Sequence, residues 1–246
     1  MSGGEPVVFI HGLFQAMAPL ADIPFPSPRK RILLDLPGYG AHVDTALPSD
    51  LAGYADHVAS ELDRLGASPA FVVGHSVGGA VSMLLAANHR DRVVAVVNAE
   101  GNFRPADAFW SSKIAAMTSD EVEAMLDGYK ADVDAWLTRQ KIQIKPKRQE
   151  WAKRMFDAQR ARSVQALARA VVEASASPDY LPTMDGVLLS GIPVHLIAGE
   201  RSRAGWGVPD DFARLAASFS IQPKVGHMMM LEEPEAFLKL VASQTG

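Results

Sequence analysis

The segment GHSVG, residues 74–78, holds a serine between two glycines. An apolar run precedes it at 70–74, as in a strand, and small and apolar residues of helical character follow it. A serine on a tight strand-to-helix turn adopts strained backbone dihedrals, which requires very small neighbours two residues away. Such a turn exposes the hydroxyl, and the helix N-terminus directs free N–H groups towards it. We therefore predict that Ser76 is a nucleophile. The alternative is an ordinary glycine-rich turn with a capping serine.

A serine nucleophile needs a base, and seven histidines are candidates. We favour His227, because it follows a predicted strand, lies in a Gly-His loop and precedes a helix that begins near Pro234. The contexts of the other six favour different roles: surface positions in loops or helices for His42, His57 and His89, the turn itself for His75, an apolar strand for His195, and the loop after the first strand for His11.

The rest of the chain alternates short apolar strands with longer helices. Strands are predicted at 7–10, 31–36, 70–74, 93–98 and 192–199, with a weaker last strand beginning at 219. They show little polar alternation, which is typical of strands buried on both faces of a parallel sheet. Helices are predicted at 51–65, 77–88, 209–217 and 234–243. This alternation predicts an α/β fold with a doubly wound, mainly parallel sheet of about six strands.

Residues 103–183 break the alternation, since no convincing strand falls within them. Four short helical segments follow one another instead, the first opened by a capping-box pattern at Thr118 and Glu121. We interpret 103–183 as an all-helical cap inserted into a core formed by 1–102 and 184–246. Because the insertion follows the strand next to the serine turn, we expect the cap to overhang Ser76 and to govern substrate choice.

Composition excludes several classes of function. The 246 residues include 24 Lys or Arg and 28 Asp or Glu, a formal net charge of −4, which argues against nucleic acid or an anionic membrane as the main partner. We interpret the basic stretch at 139–169 as the solvated face of cap helices. There is no cysteine, hence no disulfide and no thiol chemistry. The first residues carry neither a basic region nor a long apolar run. We expect a cytoplasmic protein without stable membrane insertion; the sequence predicts no oligomeric state.

Four motifs, in this order, resemble those of the α/β-hydrolase superfamily. They are FIHGLF at 9–14, LDLPGYG at 34–40, GHSVGG at 74–79 and VGHMMMLEEPEAF at 225–237. The resemblance covers nearly the whole chain and is specific for the fold and for a triad in the chain order serine, acid, histidine. One departure is visible. The first strand leads straight into His11-Gly12, so we expect the two opening strands common in the superfamily to be absent.

The resemblance also implies an oxyanion hole made of two backbone N–H groups. The serine turn supplies the Val77 N–H, and the second donor comes from Leu13, with Phe14 as the next choice. Fixed donors of this kind stabilise the negative charge that builds on a carbonyl oxygen during ester cleavage. His11 is expected to brace this loop.

The acid of the triad is displaced from its usual place. Most of the superfamily carries it after the strand corresponding to 192–199, as Gly-Asp/Glu-x-Asp, whereas this chain has Ser202 there. Glu100 comes just past the strand that follows the nucleophile helix, and this strand should neighbour that of Ser76. Some dehalogenase and lactonase branches carry their acid at this place. We therefore predict Glu100 as the acid. Glu200 is the alternative, in which case Glu100 would merely pair with Arg104.

Together these residues predict a serine hydrolase that needs neither a cofactor nor a metal. Ser76 would attack a small-molecule carboxylic ester, and His227, held by Glu100, would move protons through an acyl-enzyme intermediate. A lactonase or a C–C bond hydrolase would use the same residues, and a ligand-binding protein of low turnover is a further alternative. The predicted substrate pocket comprises Phe14, Phe103, Trp110 and Met228.

Overall fold

The computed structural model describes residues 4–15 and 17–246, and at its centre lies a six-stranded parallel sheet. The strands are β1 (Val7–Ile10), β2 (Arg31–Leu34), β3 (Ala70–His75), β4 (Val93–Ala99), β5 (Val194–Gly199) and β6 (Ser218–Gln222). Their order across the sheet is β2-β1-β3-β4-β5-β6. The predicted α/β fold is therefore confirmed, and the first described strand, β1, leads directly into His11-Gly12.

Strand composition explains why the sheet is enclosed. Every residue of β1 and β3 is buried, and six of the seven residues of β4 are buried as well. Apolar residues on both faces of these strands require a covering layer of helices on each side. The sheet is thus the centre of a single hydrophobic core that also takes in residues of the flanking helices.

The strand order places a crevice between β1 and β3. From β1 the chain moves outward to β2, whereas from β3 it moves the other way, to β4. The connections leaving these two adjacent strands therefore diverge at their carboxyl ends. In open parallel sheets such a reversal of strand order is where ligands bind. The loop that begins at His11 and the turn at Ser76 both leave the sheet at this point.

Of the five described α-helices outside the long insertion, four lie close to their predicted positions, and the short one at Met229–Glu232 was not predicted. The five are α1 (Leu51–Arg64), α2 (Val77–Asn88), α9 (Asp210–Leu215), α10 (Met229–Glu232) and α11 (Pro234–Gln244). Helix α1 begins where the Asp50 carboxylate accepts a hydrogen bond of 2.9 Å from the Gly53 N–H, as a helix-capping aspartate does. Pro234 occupies the first turn of α11, where its missing N–H removes no hydrogen bond.

The insertion between β4 and β5 holds six α-helices, two more than predicted. They are α3 (Phe109–Ala116), α4 (Ser119–Ala131), α5 (Val133–Arg139), α6 (Pro146–Asp157), α7 (Ala161–Ala176) and α8 (Tyr180–Leu189). The capping box at Thr118 opens α4 as predicted. Helices α3 and α8 were missed because both are short and lack a clear polar face. Helix α8 runs across the predicted boundary at 183 and packs against α2.

Among the described residues, no helix is both long and apolar enough to cross a membrane.

Candidate active site

Ser76 occupies a sharp turn between β3 and α2. Its backbone has φ 55° and ψ −125°, a strained conformation for a residue with a side chain. Glycine is required on both sides, because a Cβ on Gly74 would lie 2.2 Å from the Gly78 carbonyl oxygen. A Cβ on Gly78 would lie 2.3 Å from the Ile10 carbonyl oxygen. The sequence thus forces the serine side chain out of the sheet while the turn stays pressed against β1.

The loop after β1 lies directly beside this turn. A Cβ on Gly12 would be 3.0 Å from Ser76 Cβ, so the backbone passes close to the serine. Neither the Leu13 N–H nor the Val77 N–H has a hydrogen-bond partner among the described residues. Two unpaired backbone donors therefore flank the serine, and the second opens helix α2, whose dipole adds positive potential.

His11 braces the loop, and its partners define its tautomer. Its Nδ1 lies 2.7 Å from the Gly12 carbonyl oxygen, which can only accept, so Nδ1 carries the proton. The Leu36 N–H then donates to the unprotonated Nε2 over 3.2 Å. Burial, the largest influence, lowers the pKa of His11 and keeps the ring neutral. The side chain is therefore committed to holding the backbone and has no free nitrogen for proton transfer.

Glu100 and His227 form the central contact of the site. His227 Nδ1 lies 2.6 Å from Glu100 Oε2, and because a carboxylate only accepts, Nδ1 donates. The other oxygen, Oε1, accepts hydrogen bonds from Ser202 Oγ at 2.6 Å and from the Gly199 N–H at 2.8 Å. Both carboxylate oxygens are thus engaged. The arrangement leaves Nε2 of His227 as the nitrogen without a proton.

The position of Glu100 is unusual for its residue type. It is buried, only 4% exposed, and its backbone is left-handed, with φ 48°. Burial alone would raise the pKa of Glu100, but its hydrogen bonds and the neighbouring His227 ring outweigh burial and hold the pKa below its ordinary value. The carboxylate is therefore ionised at neutral pH and able to stabilise a protonated imidazole.

The other carboxylate considered from the sequence faces away. Glu200 is exposed, and its Oε2 accepts a hydrogen bond of 2.7 Å from the Lys224 N–H instead of contacting His227. Arg104 is likewise exposed and has no ion pair with Glu100 in the described part of the chain. The structure therefore brings Glu100 to the histidine and keeps both alternatives apart from it.

His75 makes a contact that the sequence did not indicate. Its Nε2 lies 2.9 Å from the His227 carbonyl oxygen, so Nε2 donates, and the two rings lie 4.6 Å apart. Burial, with a smaller influence from the His227 ring, holds the pKa of His75 well below its usual range. A neutral, buried imidazole therefore fixes the backbone of the loop that carries His227.

Ser76 and His227 line one narrow cavity of about 10 Å³, room for about one water molecule. No hydrogen bond joins their side chains in the described structure, and such bonds commonly tighten only when substrate binds. The remaining lining residues include three of the four predicted pocket residues, Phe14, Trp110 and Met228, together with Gly12, Leu13 and His75.

Phe103 is the exception among the predicted pocket residues. It is fully buried and lines neither cavity beside His227. Its ring stacks on Trp206 at 5.8 Å and contacts Phe212 at 4.7 Å. The expectation that Phe103 would face substrate because it follows β4 is therefore wrong: its ring packs the core beneath the cap.

A larger cavity of about 410 Å³ lies on the other side of His227. Glu100, Ser202 and Arg201 form its polar wall, and Phe109 and Trp206 are among its apolar lining. Phe109 is 47% exposed and contacts the His227 ring at 5.8 Å between centroids. Helix α3 therefore contributes to both cavities, through Trp110 at the tight space beside Ser76 and through Phe109 at the roomier one beside Glu100.

Sequence reasoning missed Ser202 as a functional residue. The sequence showed only that it replaces a carboxylate, yet its hydroxyl donates to the displaced carboxylate of Glu100. Arg201, next to Ser202, forms an ion pair of 2.8 Å with Glu232. The one available signal was the coincidence of a missing acid at 202 with an extra acid after the neighbouring strand.

Comparison with known proteins shows the family. The family model described as "Alpha/beta hydrolase family" matches residues 7–240. Curated relatives match shorter stretches. One relative is the dihydrolipoyllysine-residue acetyltransferase component of the acetoin cleaving system of Cupriavidus necator. The two sequences are 39% identical over 102 residues, a match that covers 38% of this chain and 26% of that protein. The chain is 36% identical over 132 residues to lipase LipV of Mycobacterium tuberculosis, which covers 51% of this chain and 45% of that protein.

A third relative is a pimeloyl-[acyl-carrier protein] methyl ester esterase of Neisseria meningitidis, 43% identical over 60 residues, or 24% of this chain and 22% of that protein. The chain thus matches less than half the length of each of these relatives.

Solved structures match this chain over almost its whole length. MenH from S. aureus has a TM-score of 0.74 at 16% identity, covering 99% of this chain and 93% of that one. The enol-lactonase from Burkholderia xenovorans LB400 has a TM-score of 0.71 at 19% identity, covering 98% of this chain and 91% of that one.

Proposed function

Because the chain belongs to the alpha/beta hydrolase family, we propose that it is a serine hydrolase that cleaves a carboxylic ester through an acyl-enzyme. The observation that carries this proposal is the 2.6 Å contact between His227 and the ionised, buried Glu100. A histidine held in this way near a strained, half-buried serine that lines a cavity is the arrangement that activates a hydroxyl nucleophile.

In the proposed first step, His227 Nε2 takes the Ser76 hydroxyl proton while Oγ bonds to the carbonyl carbon. The carbonyl electron pair moves onto oxygen, where the Leu13 and Val77 N–H groups stabilise it. Removal of one such donor raises the activation free energy by about 2.7–4 kcal/mol. His227 then gives the proton to the departing alkoxide, and an alcohol leaves as the carbonyl re-forms.

In the second step, water replaces the alcohol. His227 takes a proton from the water molecule as the water oxygen attacks the acyl carbon and the carbonyl electron pair moves onto oxygen. When this intermediate collapses, the bond between the acyl carbon and Ser76 Oγ breaks, His227 returns the proton to Oγ, and a carboxylic acid leaves. Glu100 stabilises the imidazolium that forms in both steps. An aspartate that holds a histidine in the same way contributes about 10⁴ in kcat in one protease.

The nature of the relatives supports an ester as the substrate class. One curated relative is named as a methyl ester esterase and another as a lipase. Both match only part of this chain, so their substrates are not transferred to it. The space of about 10 Å³ at Ser76 has room for only about one water molecule, so its lining residues must move apart to admit even a small acyl group.

The test is fluorophosphonate labelling of the wild type and of Ser76→Ala, followed by a panel of short nitrophenyl esters and lactones. We expect labelling and ester turnover in the wild type, and loss of both in Ser76→Ala with unchanged thermal stability. Serine-dependent turnover confined to lactones would shift the substrate class. Residual esterase activity above a few per cent in Ser76→Ala would refute the nucleophile assignment, and a wild type that binds but never releases nitrophenol would identify a binding protein.

A further inference from the structure

A group of side chains of types that can bind a metal ion lies on helix α1 and the short segment before it, separate from the residues that line the two cavities beside His227. His57 and Glu61 are four residues apart on this helix, so they project from the same face. His42, in the short 3₁₀ helix Gly40–His42 that precedes α1, lies over them. Each of the three offers one ligand atom, and these atoms all lie within 4.8 Å of one another.

The spacing of these atoms is close to that of a tetrahedral metal site. Zinc bonds of about 2.0–2.1 Å place adjacent tetrahedral ligands about 3.3 Å apart. His42 Nε2 already lies 3.3 Å from Glu61 Oε2. The rings of His42 and His57 meet edge to face with centroids 4.5 Å apart. One pair therefore has the required separation, and a small side-chain rotation would bring in the third ligand.

The His57 ring supplies an independent observation. Its Nε2 is buried and has no hydrogen-bond partner among the described residues. A buried polar atom without a partner is costly, so such atoms in native proteins call for an explanation. A metal ion between the three side chains would satisfy this nitrogen. Solvent reaches the cluster at His42, whose side chain is 20% exposed.

The main competitor for the cluster is an arginine. Arg64 NH2 lies 2.6 Å from Glu61 Oε2, and Arg64 Nε contacts both carboxylate oxygens. This ion pair holds Glu61 without a metal and places a positive charge next to the site. However, the Arg64 side chain is 62% exposed, so it can move into solvent and release the carboxylate. Glu61 is therefore paired with Arg64 but can be released to bind a metal ion.

We propose that His42, His57 and Glu61 bind a divalent transition-metal ion, most suitably zinc, with a water molecule as fourth ligand. Two imidazoles and one carboxylate form a ligand set that zinc accepts in proteins, and hard cations such as calcium prefer oxygen ligands throughout. The bound ion would fasten the segment before α1 to the helix. The ion would take no part in the serine chemistry. The proposed metal site therefore does not depend on the proposed function.

The first experiment is calorimetric titration of metal-free protein with Zn²⁺, with the visible spectrum of the Co²⁺ form as a measure of geometry. We expect one ion per chain and tetrahedral Co²⁺ bands. His42→Gln and His57→Gln should each weaken binding at least about tenfold. His89→Gln is the matched control, because His89 also contacts a carboxylate of α1, that of Asp56, at 2.6 Å but lies outside the cluster. It should bind like the parent.

The second experiment uses the competitor. Arg64→Gln removes the charge that opposes the ion, so we expect Zn²⁺ to bind several-fold more tightly and to raise Tm further than in the parent. An unchanged affinity in Arg64→Gln would overturn Glu61 as a ligand. Parent-like binding in His42→Gln, a change outside helix α1, would overturn the site. Loss of binding in His89→Gln would overturn it as well. Ester turnover by each variant reports separately on the Ser76 site.

Discussion

Glu100 brings together a left-handed backbone, nearly complete burial and an ionised side chain. Each of these features alone destabilises the folded state, and residues with such features tend to lie at functional sites. Three donors offset the burial of its charge: the His227 ring, the Ser202 hydroxyl and the Gly199 N–H. Ser202 therefore completes the site by hydrogen bonding to an acid supplied from the neighbouring strand.

A pair of isosteric changes tests the acid. Glu100→Gln keeps the volume but offers a neutral amide, which can neither stabilise an imidazolium nor fix the histidine tautomer. We expect kcat on a short nitrophenyl ester to fall at least about a hundredfold. Glu200→Gln is the control, since within the described part of the chain the Glu200 carboxylate accepts a hydrogen bond from the Lys224 N–H and none from His227. It should stay within about tenfold of the wild type. A larger loss in Glu200→Gln than in Glu100→Gln would reverse the assignment.

The residues of the site differ in how far the sequence could indicate them. Ser76 is marked locally, because the glycines at 74 and 78 are demanded by contacts within the turn and with β1. The contact between Glu100 and His227 spans 127 positions, so it was suggested only indirectly, by the expected strand order, the missing acid at 202 and the family resemblance. The hydrogen bond from His75 to the His227 backbone could not be predicted, because it depends on how the loop that carries His227 packs against the turn after β3.

At the scale of elements, helix α3 determines the room available to an acyl group. Trp110 lies 5.7 Å from Phe14 and 5.7 Å from His227 between ring centroids. It thus closes the cavity at Ser76 from the cap side. The ring of Phe103, only a few residues earlier, points into the core instead. Two aromatic residues of one connection therefore have opposite roles, and this difference provides a matched experiment.

We expect Trp110→Ala to enlarge the acyl space and to shift preference towards longer chains by about tenfold in the ratio of kcat/KM values, since one or two methylene groups are worth this much in an apolar pocket. Phe103→Ala should leave the preference unchanged and lower the free energy of unfolding by about 3–5 kcal/mol, as for other large core truncations. The measurements are nitrophenyl ester chain-length profiles and denaturant unfolding. A shifted profile in Phe103→Ala, or none in Trp110→Ala, would contradict the proposed roles.

The elements themselves were predictable where local chemistry determines them. Strands β1 to β5 fall within two residues of their predicted bounds, because buried parallel strands are continuous apolar runs. Helix α8 was missed because it is short and lacks a clear polar face, and because Gly186 and Pro182 weaken its helical pattern further. Packing on α2 compensates. The surface interpretation of His57 failed for a related reason: its helix is amphipathic, but the segment before α1 folds over the histidine.

At the scale of the whole molecule, burial lowers the pKa of four histidines: His11, His57, His75 and His195. Their unfolded pKa is about 6.5. Below that pH the unfolded chain binds protons that the native state refuses, so the free energy of unfolding falls as pH falls. Glu100 acts in a lower window, because its native pKa lies below its ordinary 4.5 and its contribution is lost only as pH falls through that native pKa.

His75 offers the sharpest test of this acid sensitivity, since its pKa lies well below the usual range. We expect the free energy of unfolding to decrease below pH 6.5, with His75 alone contributing a limiting slope of about 1.4 kcal/mol per pH unit. His75→Gln keeps a donor for the His227 carbonyl oxygen but removes the titrating ring, so the slope between pH 6.5 and 5 should fall by about 1 kcal/mol per unit. Denaturant unfolding across this range provides the measurement. An identical slope in the variant would mean that the native state accepts a proton at His75, and that this ring is not the neutral brace of the His227 loop.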